Sequence, residues 1–220
     1  MTTMTESTEA QVKFPAEGIE LEGELNVPAR AHGVILFAHG SGSSRHSRRN
    51  QFVARTLRWR GLGTFLFDLL TQDEETQEQF TGHLRFDIDM LAARLLAAAD
   101  FVHRQMPHRH LGFFGASTGG GAAIVAATNA PMTISSVVSR GGRPDLAGDA
   151  LERITVPTLL IVGSADKEVL ELNRQALEKL TCEKELKIIP NATHLFEEPG
   201  ALDNVAEAAA MWFTRHMRDE

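Results

Sequence analysis

Short apolar segments alternate with amphipathic helical segments along most of this chain, and this alternation limits the fold more than any other feature. Two of the apolar segments, GVILFAH (33–39) and PTLLIVGS (157–164), are nearly continuous, which is typical of parallel strands buried on both faces. Strands are predicted at 19–27, 33–39, 63–70, 111–116, 134–140, 157–164 and 185–190. Helical spacing between them predicts an α/β fold with a mostly parallel central sheet and helices on both faces.

The chain has 220 residues, which suits one such domain. We predict a flexible N-terminal tail at 1–10 and a single domain at 11–220. The net charge of −7 argues against nucleic acid or an anionic membrane as a partner, and the one cysteine leaves no pair for a disulfide. The N-terminus lacks the features of a signal peptide, and no apolar run is long enough to span a membrane. We therefore expect a cytoplasmic monomer or homodimer.

The segment LGFFGASTGGGAA (111–123) places Ser117 among glycines at the end of a predicted buried strand. Structural roles could explain it, because glycine tolerates turn conformations and serine is a favoured helix N-cap. The alternative is a nucleophile elbow, G-x-S-x-G, in which the serine sits on a tight strand-to-helix turn that only small neighbours allow. The pattern alone leaves both explanations open.

Two other predicted strands end at residues that suit acyl-transfer chemistry. Asp166 follows the strand at 157–164, and His194 follows the strand at 185–190. The simplest structural roles are a helix N-cap for Asp166 and a surface position for His194. Because the carboxyl ends of parallel strands meet at one edge of a sheet, the chain order of serine, acid and histidine favours a catalytic triad.

Acyl transfer also needs N–H donors for the oxyanion that develops on the substrate. Thr118, which follows the serine, would supply one donor at a helix N-terminus, where the helix dipole favours negative charge. We assign the second donor to the backbone of Ser41, with Gly42 as the alternative, in a loop of small residues after an earlier strand. The glycines at 40 and 42 would let that loop approach a substrate closely.

The chain resembles the α/β-hydrolase superfamily, and within it the dienelactone-hydrolase-like branch, in the stretches AHGSGSS (38–44), GASTGG (115–120), VGSADKEV (162–169) and NATHLF (191–196). The resemblance covers about residues 12–216. It implies Ser117 as nucleophile, His194 as base and Asp166 as orienting acid. The enzyme that names the family uses a cysteine nucleophile, so the serine here does not imply lactone specificity. A carboxylic ester hydrolase acting on a small-molecule ester, with no metal or cofactor, is implied instead.

Several arginines lie near the predicted strand ends, and they have two interpretations. They are either part of a solvated basic surface, or they bind a carboxylate or phosphate on the substrate, which the guanidinium fork does well. We take Gly40, Gly42, Arg45 and Arg140 as candidate substrate-binding residues. The connection at 140–156 is too short for a cap domain, so an open site is expected.

Other segments have less specific interpretations. The acidic stretch 69–82 is predicted to be a solvated, mobile loop. His103, His108 and His110 lack nearby carboxylates, which favours a surface turn over a metal site.

Functions other than ester hydrolysis also stay open. A dinucleotide-binding loop is disfavoured, because Arg45 stands where G-x-G-x-x-G needs its third glycine. The same triad could transfer the acyl group to an acceptor other than water, or support perhydrolysis. The fold could also serve as a binding protein without activity.

Overall fold

The computed structural model describes residues 7–217, which form a central sheet of eight strands with helices on both faces. The strands are β1 (Thr8–Ala16), β2 (Ile19–Val27), β3 (Gly33–Ala38), β4 (Gly63–Phe67), β5 (His110–Ala116), β6 (Ile134–Arg140), β7 (Thr158–Gly163) and β8 (Lys184–Ile189). Their spatial order is β1-β2-β4-β3-β5-β6-β7-β8. β1, β2 and β4 are antiparallel neighbours, and all pairs from β4 to β8 are parallel. The predicted mostly parallel sheet is therefore confirmed.

The helices connect these strands and cover both faces of the sheet. They are α1 (Arg48–Trp59), α2 (Gln72–Thr81), α3 (Ile88–Gln105), α4 (Thr118–Asn129), α5 (Ala150–Arg153), α6 (Lys167–Lys179) and α7 (Ala201–His216). α1 and α7 bury their apolar residues in a core cluster on one face. α3, α4 and α6 contribute to the cluster on the other face. None of the helices in residues 7–217 is long and apolar enough to cross a membrane.

The central strands are positioned by complete burial. Every residue of β3 and of β7 is buried, as their continuous apolar runs predict. β2 instead alternates between buried and more exposed positions, as expected for a strand nearer the sheet edge. Because the strands from β3 to β8 are parallel neighbours, the carboxyl ends of β3, β5, β7 and β8 lie at one edge. The loops with the candidate catalytic residues leave the sheet there.

The stretch 69–82 is not a mobile loop, and this prediction is wrong. It contains α2, which begins with a capping box: the Glu74 N–H donates to the Thr71 hydroxyl (3.2 Å), and the Thr71 N–H donates to the Glu74 carboxylate (2.8 Å). Gly82 ends the helix in the left-handed conformation. Buried Arg94 of α3 donates to both oxygens of Glu74 at 2.6 and 2.8 Å. The sequence of α2 has no apolar stripe. The helix is therefore stabilised by its caps and by this ion pair.

The N-terminal segment also differs from the prediction. β1 begins at Thr8, so the predicted tail boundary at residue 10 falls inside a strand, and residues 1–6 lie outside the described residues. Phe14 of β1 is fully buried, with its ring centroid 5.5 Å from those of Phe65 and Phe67. This aromatic contact fixes β1 against the core, although alternate positions of the strand are exposed and include charged residues.

The carboxyl edge of the sheet carries no cap domain within the described chain. The connection from β6 to β7 contains only a 3-10 turn (Pro144–Ala147) and the single turn of α5. The predicted absence of a cap domain is confirmed, and the loops after β3, β5, β7 and β8 stand open at this edge.

Candidate active site

The turn between β5 and α4 is strained at one residue, Ser117. Its backbone has φ 52° and ψ −122°, a region that residues with a side chain rarely adopt. A Cβ on Gly115 would lie 2.2 Å from the Gly119 carbonyl oxygen, and a Cβ on Gly119 would lie 2.1 Å from that of Ala38. Both glycines are therefore required by close backbone approach, which is the geometry that the G-x-S-x-G pattern predicts.

The simple capping roles that the sequence left open do not describe the side chains of Ser117 and Asp166. Each residue occupies the N-cap position of a helix, α4 and α6 respectively, but neither side chain makes a capping hydrogen bond. The Ser117 hydroxyl has no hydrogen-bond partner within residues 7–217. Catalytic hydrogen bonds of this kind often tighten only when substrate binds.

Asp166 instead bonds to His194 across the ends of β7 and β8. The Asp166 Oδ2 and His194 Nδ1 atoms are 2.7 Å apart. Asp166 is mostly buried, whereas the ring of His194 is partly exposed. Because a carboxylate accepts hydrogen bonds, this contact favours the tautomer in which Nδ1–H donates to Asp166, and in the neutral ring of that tautomer Nε2 is an acceptor.

Residues at the end of β6 connect this pair to the elbow. The Ser117 N–H donates to the carbonyl oxygen of Arg140 at 3.3 Å. The next residue, Gly141, lies against His194, because a Cβ on this glycine would be 3.6 Å from His194 Nδ1. The structure thus brings the three predicted triad residues to one place, and their catalytic roles stay predictions.

Replacing Ser117 with glycine is expected to stabilise the fold relative to Ser117→Ala. Alanine keeps the Cβ that makes φ 52° costly, by about 1–3 kcal/mol for such conformations. Glycine removes that cost, although its freedom in the unfolded chain offsets about 0.5–1 kcal/mol. Urea unfolding should give Ser117→Gly a free energy of unfolding higher by about 1 kcal/mol; a lower value for Ser117→Gly than for Ser117→Ala would mean that the turn is not strained.

The loop after β3 lies directly against the elbow. A Cβ on Gly40 would be 2.8 Å from the Cβ of Ser117, so only glycine allows this approach. The Ser43 N–H donates to the Gly40 carbonyl at 3.1 Å and closes a turn, in which Gly42 has φ +68°. Gly42 is thus explained by its backbone conformation, and Gly40 by its contact with the turn at Ser117.

The two predicted oxyanion donors belong to these adjoining segments. No residue of the described chain accepts a hydrogen bond from the Ser41 N–H, and Ser41 is exposed. Thr118 is the first residue of α4, where an N–H has no acceptor within the helix. Both groups therefore remain available to a ligand, and their assignment as an oxyanion hole stays a prediction.

Sequence reasoning missed the role of His39, which connects the loop after β3 to the segment that follows β4. This buried ring accepts the Leu69 N–H at Nε2 (2.9 Å), and its Nδ1 lies 3.0 Å from the Gly40 carbonyl oxygen. Because a backbone N–H only donates, the proton must sit on Nδ1, which donates to Gly40. Burial lowers the pKa of His39, so the ring is neutral. Its position directly before the small-residue loop was the available signal.

We expect His39→Gln to weaken the loss of stability in acid. In the wild type, the unfolded chain takes up a proton near the ordinary pKa of 6.5, and the buried ring resists it. The unfolding free energy therefore falls as pH drops below that value, by at most about 1.4 kcal/mol per pH unit for one group. Glutamine can accept the Leu69 N–H without titrating. Urea unfolding at pH 7 and pH 5 should show a smaller difference in the variant; an unchanged difference would contradict a neutral His39.

The two candidate substrate-binding arginines have opposite surroundings. Arg45 contacts Asp68 through its guanidinium and its backbone N–H, and its Nη2 donates to Glu22 at 3.0 Å. These contacts attach the loop after β3 to the end of β4, so the Arg45 guanidinium is already paired with carboxylates. Arg140 is buried, and it has no ion pair within the described chain.

A groove of about 680 Å³ runs beside the loop after β3. It is lined by residues of the loop after β3, by the start of α2 and by Arg85, and it does not include the triad residues. Arg85 donates to Glu75 at 2.9 Å, so this arginine already has a carboxylate partner. Within residues 7–217, no group of three or more His, Cys, Asp or Glu side chains is placed to hold a metal ion.

Comparison with known proteins gives a consistent picture. The sequence model of the dienelactone hydrolase family matches residues 22–218. A solved dienelactone hydrolase from Anabaena variabilis is 53% identical, with a TM-score of 0.93, covering 96% of this chain and 99% of that one. A solved α/β serine hydrolase without a lid, from Xanthomonas campestris, is 22% identical with a TM-score of 0.78, and 96% of each chain is covered. The second likeness bears on the fold alone.

Two curated relatives from Mycobacterium tuberculosis carry a different, provisional name, phosphoribosyl transferase. Each is 48% identical over 209 residues, which are 94% of this chain and 46% of the relative. The chain thus spans about half the length of the curated relatives it matches.

Proposed function

Because the chain belongs to the dienelactone hydrolase family of α/β hydrolases, we propose that it hydrolyses carboxylic esters through a serine acyl-enzyme. The observation that carries this proposal is the 2.7 Å contact between His194 Nδ1 and Asp166 Oδ2, at the sheet edge where Ser117 occupies a strained turn. A structural role alone would not explain why the His194 ring stays partly exposed at the edge where the Ser117 side chain makes no capping hydrogen bond. The arrangement suits acyl transfer.

The proposed reaction has two steps. Ser117 Oγ attacks the ester carbonyl while its proton passes to His194 Nε2, and the carboxylate of Asp166 stabilises the imidazolium that forms. The tetrahedral intermediate collapses when the alkoxide leaves and takes the proton from His194. Water then attacks the acyl-serine with His194 again as base, which releases the acid and restores Ser117.

The oxyanion of each intermediate is proposed to accept hydrogen bonds from the backbone N–H groups of Ser41 and Thr118. Preorganised donors of this kind are worth about 3–4 kcal/mol each in other acyl-transfer sites. Gly40 lets the donor loop reach the elbow, and neutral His39 holds that loop by its bond to the Leu69 N–H. The partner in this reaction is a small-molecule ester.

Acyl transfer to another acceptor, and perhydrolysis, share every step up to the acyl-enzyme. They are distinguished from hydrolysis by adding an alcohol, an amine or hydrogen peroxide and identifying the acylated product. The transferase name of the M. tuberculosis relatives applies to proteins of which this chain matches only 46% of the length. Nothing in the elbow or in the Asp166–His194 pair favours phosphoribosyl transfer over acyl transfer.

A fluorophosphonate probe tests the proposal directly, because it reacts with activated serines. The folded wild-type protein should gain the mass of one adduct, and heat-denatured protein should gain none. Tandem mass spectrometry should place the adduct on Ser117, and a panel of 4-nitrophenyl esters should be hydrolysed. A folded protein that neither forms the adduct nor hydrolyses any ester would favour a binding protein without activity.

A further inference from the structure

Arg140 is a buried guanidinium without a counter-ion among the described residues. The residue is only 8% exposed, and its Nε and Nη1 atoms have no hydrogen-bond partner in residues 7–217. The guanidinium carbon lies 5.9 Å from the ring centroid of Phe196. That contact offers weak attraction from the ring face but no hydrogen-bond acceptor.

The electrostatic surroundings leave this charge uncompensated. Burial, and secondarily the positive charge of Arg49, lower the pKa of Arg140 to about 10. The group therefore remains a cation at neutral pH, and the charged neighbour that affects it repels it. Buried charges are normally paired, since removal from water is costly. An anion at this position would supply the missing acceptors.

Arg140 adjoins the proposed catalytic residues. As the last residue of β6, it accepts the Ser117 N–H with its carbonyl oxygen (3.3 Å). The residue after it, Gly141, packs against His194. The backbone of Arg140 thus lies between the nucleophile turn and the loop with the base.

The side chain of Arg140 lies on the face of the sheet that carries α1. The neighbouring Ser139 points to the opposite face, where its hydroxyl lies close to Gly120 of α4. Because successive side chains of a strand point to opposite faces, Arg140 lies with Phe196 and Arg49. Arg49, near the start of α1, pairs with Glu197 at 3.3 Å, so this carboxylate already has a partner.

Other arginines at this edge of the sheet differ from Arg140 in having carboxylate partners. These pairs are Arg45 with Asp68, Arg85 with Glu75 and Arg143 with Asp145. Arg140 thus differs from these three arginines in being buried without a carboxylate partner among the described residues.

We propose that Arg140 binds a carboxylate or phosphate group carried by the ester substrate, so that the site selects anionic esters. The identity of the substrate as an ester rests on the proposed function. Binding of an anion by Arg140 can be tested separately, because it does not require catalysis. The guanidinium offers parallel N–H donors to two oxygens of such a group. The substrate would thereby be held beside the nucleophile turn.

The test compares substrates of matched shape but different charge. The 4-nitrophenyl esters of succinate (one free carboxylate), of 3-phosphonopropionate and of levulinate, which is neutral, are hydrolysed by the wild type and by Arg140→Met. For the charged esters, Arg140→Met should raise KM by about 10- to 100-fold, the range for one lost charge-assisted interaction. KM for the levulinate ester should change by less than about twofold. The ester with the larger change identifies carboxylate or phosphate as the preferred group.

Two further variants separate recognition from general damage. Arg143→Gln is the matched control, because Arg143 lies in the same connection and already pairs with Asp145 at 2.7 Å; it should affect all three esters equally. Arg140→Lys keeps the charge without the fork and should fall between the wild type and Arg140→Met. Equal KM changes for the charged and neutral esters in Arg140→Met would overturn the inference and leave the esterase function standing.

A binding measurement tests the anion site without turnover. Succinate or inorganic phosphate, at constant ionic strength against chloride, should raise the Tm of the wild type but not that of Arg140→Met. Without added anion, Arg140→Met should have the higher Tm, because an unpaired buried charge is removed. An Arg140-dependent shift without ester hydrolysis or probe labelling would reject the esterase function and keep the anion site. No shift in the wild type would overturn the inference.

Discussion

Ser117→Ala is expected to abolish labelling by the fluorophosphonate and to lower kcat/KM for esters by at least about 10⁴-fold, since the nucleophile acts as a unit with its base. The hydroxyl has no structural hydrogen bond to lose within residues 7–217, and alanine keeps the backbone of the turn. The variant should therefore fold normally. Residual activity would come from the oxyanion donors alone.

Ser43→Ala is the matched control for this substitution. Ser43 lies at the same edge of the sheet, and its contribution to the loop is a backbone hydrogen bond to Gly40, which alanine retains. Labelling and kcat/KM of this variant should match those of the wild type. An adduct that persists in Ser117→Ala, with peptide mapping to another residue, would contradict Ser117 as the nucleophile.

The proposed triad could be predicted because it follows from chain order and the geometry of parallel sheets. Ser117, Asp166 and His194 each lie within about five residues of the end of a parallel strand, and parallel strands present their carboxyl ends at one edge. The sequence could not distinguish a capping aspartate from an orienting one, since both begin a helix. That distinction needed the position of His194, which places its ring nitrogen 2.7 Å from the Asp166 carboxylate.

Features that depend on tertiary contacts were less predictable. α2 lacks an apolar stripe, so its polar sequence indicated a loop, and its stability depends on Arg94, which is distant in sequence. The local signal was Thr71 followed three residues later by Glu74, a capping box. Arg140 was a candidate substrate-binding residue only because it is an arginine near the end of a predicted strand. Its burial without a counter-ion depends on which loops cover the strand end, and periodicity does not reveal this.

The carboxylate of Asp166 is expected to determine which nitrogen of His194 carries the proton. Asp166→Asn is expected to lower kcat/KM by about 10³–10⁴-fold while preserving the fold, because the amide can donate to Nδ1 and thereby favour the tautomer with its proton on Nε2. In that tautomer the ring cannot accept the proton of Ser117. The loss should appear in the rate of fluorophosphonate labelling as well as in ester hydrolysis.

Asp145→Asn provides the matched control, since Asp145 also follows a strand of the same sheet but pairs with the side chain of Arg143. Its labelling rate should stay within about threefold of the wild type, as expected for an interaction remote from the transferred proton. Labelling and hydrolysis are measured for both variants, with circular dichroism to confirm folding. A loss of less than about tenfold in Asp166→Asn would mean that the carboxylate does not set the tautomer of His194. The 2.7 Å contact would then be a structural bond, and another group would have to orient the base.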